Sequence, residues 1–203
     1  MRQRAMIAMA LALAPKMIIA DEPTTALDAT VQAQILDLLL WLQQESDTAL
    51  ILITHDLGVV ADIANDVMVM YAGRAAEKGT KHQIFYESHH PYTKGLLESI
   101  PNSSVAGDRL RPIPGQPPSL INLPAGCKFH PRCSYVLDRC VAEEPELVRI
   151  GMDAGHSSAC WLPAEAAGVG ASAEELRKQV VRAGRHGAAV EVAEAIAASP
   201  EVA

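Results

Sequence analysis

Met17-Ile18-Ile19-Ala20-Asp21-Glu22-Pro23-Thr24-Thr25-Ala26-Leu27-Asp28 is the stretch from which the rest of the chain is read. Three apolar residues and an alanine run straight into two adjacent carboxylates. A proline stops the strand, and a short polar turn ends in a third acid. A short continuous apolar run is the mark of a strand covered on both faces. Such a strand delivers Asp21 and Glu22 to one edge of a sheet.

Outward from this strand the pattern alternates. Arg2 to Ala14 reads as helix, rich in Ala, Leu and Met, and Pro15 ends it. The same segment, with Met1-Arg2-Gln3-Arg4 ahead of it, also has the outline of a secretory signal: basic start, short apolar stretch, small residues. The Asp-Glu string directly after Lys16 favours the helix. Asp28 has the chemistry of an N-cap, and Val31, Ile35, Leu38, Leu39 and Leu42 then recur at helical spacing. Ala49 to Thr54 is a second apolar strand, His55-Asp56 follows it, and a helix runs from about Leu57 to Asn65. Asp66 to Tyr71 is a third strand and Ala72-Gly73 the turn after it. The order α-β-α-β-α-β predicts an α/β fold with a mostly parallel sheet and right-handed crossovers.

The chain has 203 residues, enough for one domain and a small second module. Its net charge of −7 argues against a broad nucleic-acid footprint, which needs a basic surface. No apolar run reaches the length of a membrane-spanning helix. Lys81 to Ser99 reads as helix broken at Pro91. From Pro101 to Gly126 the chain is rich in Pro and Gly without periodicity, a loop-rich arm. All four cysteines follow. Ser172 and Glu175 form a capping box in an Ala- and Glu-rich tail.

The crossover pattern carries chemistry. Two parallel strands joined by one helix end on the same edge of a sheet, so Glu22 and His55 are expected to face one crevice, where open α/β sheets bind ligands. Asp21 is suited to hold Mg²⁺ through water. Glu22 is placed to polarise an attacking water, His55 to contact a terminal phosphate, and Asp28 to lie at the turn near a partner. Singly, an acid pair or a histidine after a strand is an ordinary loop residue. The joint pattern of Thr24-Thr25-Ala26-Leu27-Asp28 and, one crossover later, Thr54-His55-Asp56 is far more specific.

Asp21-Glu22-Pro23-Thr24-Thr25-Ala26-Leu27-Asp28 and Ile53-Thr54-His55-Asp56 resemble the Walker B, D-loop and switch-histidine segments of ABC transporter ATPases. Met1-Arg2-Gln3-Arg4 and its helix look like the residues after the LSGG signature, and Asp66 to Gly79 like the strand pair that follows the switch. The resemblance implies the C-terminal part of a P-loop, RecA-like ATPase that uses ATP and Mg²⁺. It implies Asp21 for Mg²⁺, Glu22 as catalytic base, His55 as the γ-phosphate switch and Asp28 as the D-loop acid facing a second subunit. The chain carries no G-x-x-x-x-G-K-[ST], glutamine loop or LSGG. It is therefore expected to be a portion of a longer protein and not to hydrolyse ATP alone.

Cys127, Cys133, Cys140 and Cys160 are separated by five, six and nineteen residues. They read as buried thiols, as disulfides of an oxidising compartment, as a zinc site joined by His130 or His156, or as iron–sulfur ligands. His90-Pro91-Tyr92-Thr93, Pro114-Gly115-Gln116-Pro117-Pro118 and Gly126-Cys127-Lys128-Phe129-His130-Pro131-Arg132-Cys133 look like the C-terminal extension of oligopeptide/dipeptide importer ATPases. That branch implies a structural [4Fe–4S] cluster on the four cysteines, with Zn²⁺ as the alternative. The organisation expected is 1–85 partial ATPase core, 86–163 extension and 164–203 flexible tail. The function expected is energising peptide import at the cytoplasmic face of the membrane. The expected partners are a second ATPase subunit, permease subunits and, indirectly, a solute-binding protein, with no nucleic acid. A soluble ABC-type ATPase of DNA maintenance and a non-catalytic remnant are the alternatives.

Overall fold

The computed structural model describes residues 2–46, 48–100, 112–151 and 155–162. The tail with the Ser172–Glu175 capping box, and residues 101–111 of the proline-rich arm, lie outside the described residues. The chain forms two compact units, one holding the described residues up to Ile63 and the other those from Ala64 on.

In the first unit, helix α1 (Arg2–Leu11) stops short of the predicted Ala14. Ala14 takes φ +46° and donates its N–H to Leu11 O at 2.9 Å. The residue before a proline avoids the helical region, so the chain turns out ahead of Pro15. Strand β1 (Met17–Asp21) pairs in parallel with β2 (Ala49–Ile53), Asp21 lying opposite Ile53. The pairing is prolonged at both ends, by Ala49 N–H to Lys16 O at 3.0 Å and by Glu22 N–H to Ile53 O at 2.9 Å. Helix α2 (Ala29–Ser46) is the crossover and buries Ile35, Leu36 and Leu39. Helix α3 (Leu57–Ile63) follows β2.

Among the described residues, the two-stranded sheet is covered on one side only. Ile19 is 64% and Ile51 44% exposed, opposite one another in the register, with Met17 and Ile53 exposed beside them. The sequence predicts cover on both faces. Among the described residues of this unit, both strands alternate between exposed and half-buried positions.

The second unit corrects the expectation of one mostly parallel sheet. Strand β3 (Asp66–Tyr71) pairs antiparallel with β4 (Arg74–Thr80) in a separate four-stranded sheet of order β3-β4-β6-β5. Only Ala72 and Gly73 join the two strands, at φ +48° and +77°. A two-residue turn with both φ positive makes a hairpin, whereas a parallel pair needs a crossover of about a dozen residues. The register shifts between Val69 and Met70, which leaves Ala76 as an extra residue in β4. Strand β6 (Ser157–Ser158) adds to β4, and β5 (Val148–Arg149) to β6. Strand β4 thus joins a sheet with strands from beyond residue 140.

Thr80 and Gln83 form a reciprocal capping box at the start of α4 (Lys81–Tyr86). Helix α5 (Pro91–Glu98) begins at the predicted break, with Pro91 in its first turn and His90 as N-cap. Tyr71, Ala76 and Phe129 form the core beneath, with Tyr92, Ile113, Cys127 and Cys133 packed against it. Tyr71 meets Phe129 edge-on at 5.2 Å and Tyr92 at 4.6 Å between ring centroids.

Candidate functional site

Glu22 and His55 come together at the edge where β1 and β2 end. Their side chains meet through His55 Nδ1 and Glu22 Oε1 at 2.8 Å. The Thr25 hydroxyl donates to the other carboxylate oxygen, Oε2, at 2.6 Å. Glu22 takes φ +46°, a left-handed backbone that is strained for any residue with a Cβ. The hydrogen bond from His55, and after it that from Thr25, holds the Glu22 carboxyl below the usual carboxylate range. The same contact raises the His55 ring above its ordinary value. Both groups are open to solvent, so the pair orients the two side chains rather than stabilising the fold.

Asp21 ends β1 and is exposed. Asp28 is not brought to the Glu22–His55 pair. Its Oδ1 accepts the N–H groups of Thr30 at 3.1 Å and Val31 at 3.0 Å, the N-cap predicted for α2. Asp56 does the same for α3, accepting from Gly58 at 2.8 Å and Val59 at 3.3 Å. Gln32 in the first turn of α2 reaches Asp56 Oδ2 at 3.3 Å, which ties the crossover helix to the segment carrying His55. Thr25 and Gln32 were not legible as site residues. Thr25 lies three residues after Glu22, the one signal that could have suggested its contact.

The four cysteines are drawn toward one another by several short links. Cys127 N–H donates to Cys140 O at 2.8 Å. Gly126, at φ +61°, makes this possible: a Cβ there would collide with the Cys140 carbonyl. Arg139 lies over the Trp161 ring at 3.5 Å, and Trp161 Nε1–H donates to Glu143 O at 3.2 Å, which brings Cys160 beside α6 (Asp138–Ala142). Burial pushes the Cys127 and Cys133 thiols up and Cys160 to about 11, and the neighbouring cysteines add to each shift. Opposing this, each of the three accepts backbone N–H groups close after it in sequence: Cys127 from Phe129 and His130, Cys133 from Tyr135 and Cys160 from Leu162. Among the described residues no three His, Cys, Asp or Glu side chains stand together as metal ligands. The two histidines expected as zinc ligands are engaged elsewhere. His130 Nδ1 lies 2.9 Å from Cys127 O, and His156 bonds Glu77.

Glu77 is a further charged residue that the sequence did not single out. It is 0% exposed. Its Oε1 accepts His89 N–H at 2.6 Å and His156 Nε2–H at 2.8 Å, and its Oε2 accepts His90 N–H at 3.0 Å. The amides before α5 and the return segment before β6 thus share one carboxylate. A 460 Å³ cavity opens beside this region, bordered by Tyr71, Arg74, His90, Lys128 and Glu144. Glu144 pairs with both Arg74 at 3.1 Å and Lys128 at 3.3 Å.

Residues 76–140 match the family described as the oligopeptide/dipeptide transporter, C-terminal region. The chain is 55% identical over 165 residues to the oligopeptide transport ATP-binding protein OppD of Haemophilus influenzae, covering 81% of this chain and 50% of that protein. It is 51% identical over 168 residues to the dipeptide transport ATP-binding protein DppD of Escherichia coli, covering 83% and 51%. It is 52% identical over 165 residues to OppD of Salmonella typhimurium, covering 81% and 48%. The chain spans about half the length of these curated relatives.

Proposed function

We propose that this chain, similar over most of its length to oligopeptide and dipeptide transport ATP-binding proteins, is the corresponding part of an ABC importer ATPase and serves ATP-driven peptide import. The observation that carries the reading is the 2.8 Å contact of Glu22 with His55 where two parallel strands end. Glu22 acts as base toward the attacking water, and His55 orients that water and meets the terminal phosphate. Asp21 offers a hard carboxylate oxygen at an exposed strand end, the donor that Mg²⁺ prefers. When bound, the ion neutralises charge on the phosphates. Asp28 lies toward a second ATPase subunit. The partners proposed are that subunit and membrane permeases, with the chain peripheral on the cytoplasmic face. Among the described residues no helix is long and apolar enough to cross a membrane. The names of the relatives, all transport proteins, favour this reading over DNA maintenance.

In the assembled transporter, Glu22→Gln should lower peptide-stimulated ATP turnover by about 10²-fold or more, the usual contribution of a positioned base. Turnover within about twofold of the parent would overturn the assignment. Residues 1–85 are proposed as the ATPase portion, 86–163 as the importer-type extension and 164–203 as a tail.

The four cysteines are proposed to hold a structural [4Fe–4S] cluster, with Zn²⁺ as the alternative. Support comes from the donor chemistry: four cysteines in one unit, three of whose sulfurs accept backbone N–H groups close after them in sequence. When bound, either group cross-links the loops around Cys127, Cys133, Cys140 and Cys160. Anaerobically purified protein should carry stoichiometric iron and broad visible absorption. Zinc without iron would select the alternative, and neither metal would exclude both.

A further inference from the structure

We propose that Thr25 is a positioning residue for Glu22, its hydroxyl fixing the carboxylate that His55 holds from the other side. The inference rests on the reading of Glu22 as the base and adds a residue to that site. Three observations carry it. The hydroxyl lies 2.6 Å from Oε2 while His55 Nδ1 lies 2.8 Å from Oε1, so the two oxygens have different partners. One hydrogen bond would leave the carboxylate free to turn; two, to different oxygens, set its plane. The backbone brings Thr25 there by construction. Thr25 N–H donates to Glu22 O and Leu27 N–H to Thr24 O, both at 3.2 Å, and Thr24 is buried as the anchor of the turn. The left-handed φ of Glu22 and of Ala26 at +63° folds this turn back on the carboxylate, and such backbone persists only where its surroundings enforce it. A hydroxyl is a donor that stays neutral across the working pH range, so Thr25 aligns and favours the ionised carboxylate without competing for the proton.

Thr25→Val keeps the branched shape and removes only the donor; Thr25→Ser keeps the donor and removes a methyl. Both are read at one neutral pH in the intact protein, labelled for NMR, through the side-chain couplings of Glu22. The parent and Thr25→Ser should show a single Glu22 rotamer, and Thr25→Val an average over several. In the assembled ATPase, Thr25→Val should lower kcat by about tenfold with KM for ATP unchanged, and Thr25→Ser should restore it. A single Glu22 rotamer retained in folded Thr25→Val would overturn the proposal. Should Thr25→Val fail to fold, the parent decides it: averaged Glu22 rotamers there overturn the role, and a single rotamer kept in Thr25→Ser supports it. The NMR readout needs no nucleotide, so absence of ATP turnover in the assembled parent would count against the proposed function alone.

Discussion

Glu77 concentrates the energetics of the second unit in a single side chain. It is sealed from water, yet both its oxygens are met: two backbone N–H groups ahead of α5 and the His156 ring from the return segment. A buried carboxylate is tolerable only with such complete pairing. Glu77→Ala strips the acceptor from three donors at once and leaves a cavity. It should cost about 3–5 kcal/mol, the usual range for breaking a buried pair from one side. Urea unfolding of Glu77→Ala, His156→Ala and the double variant would measure the shared part. Purely additive losses would show that the two side chains act independently. In the sequence, Glu77 is one acid in an alternating strand. Its burial follows from the extra residue at Ala76 and from the late strand β6, neither of which local spacing encodes.

Among the elements, the loop around the cysteines depends on backbone more than on side chains. Gly126 sits at φ +61° against the Cys140 carbonyl, and the next residue donates to that same carbonyl. Gly126→Ala places a methyl where the carbonyl already stands and adds left-handed strain of about 1–3 kcal/mol. A destabilisation of at least about 2 kcal/mol is expected, together with loss of any metal the cysteines carry. The β3–β4 hairpin offers the opposite change. Ala72 holds a left-handed turn position that Asn adopts more readily, so Ala72→Asn should stabilise by about 0.5–1 kcal/mol. Thermal unfolding of both variants tests the pair, and equal small effects would refute the backbone argument. Helix starts were the legible part of this level: Asp28 and the break at Pro91 act as the sequence predicts. Strand partners were not, because Asp66 to Tyr71 looks the same whether its neighbour is parallel or antiparallel.

Across the whole molecule, acid sensitivity should originate at His90. Burial, with the His89 ring adding to it, holds the His90 ring down to about 4, and its neutral Nδ1 accepts Tyr92 N–H at 3.0 Å to cap α5. The unfolded chain protonates the same ring near its ordinary value of about 6.5. Between about pH 6.5 and 4 the unfolded state therefore binds more protons, and stability falls as pH falls, by on the order of 3 kcal/mol in total. His90→Asn keeps a capping oxygen without titrating, so it should flatten that slope in urea unfolding across the window. An unchanged slope would place the acid sensitivity elsewhere. The sequence by itself determined the parallel pair of strands, the helix between them, and the meeting of Glu22 with His55. All of these follow from short-range apolar runs, caps and a single crossover. Only the tertiary structure decided the antiparallel second sheet, the closure of the cysteine loops and the enclosure of Glu77. Those contacts join residues as far apart as 77 and 156, and their pairing energy depends on burial and hydrogen-bond partners that no local window contains.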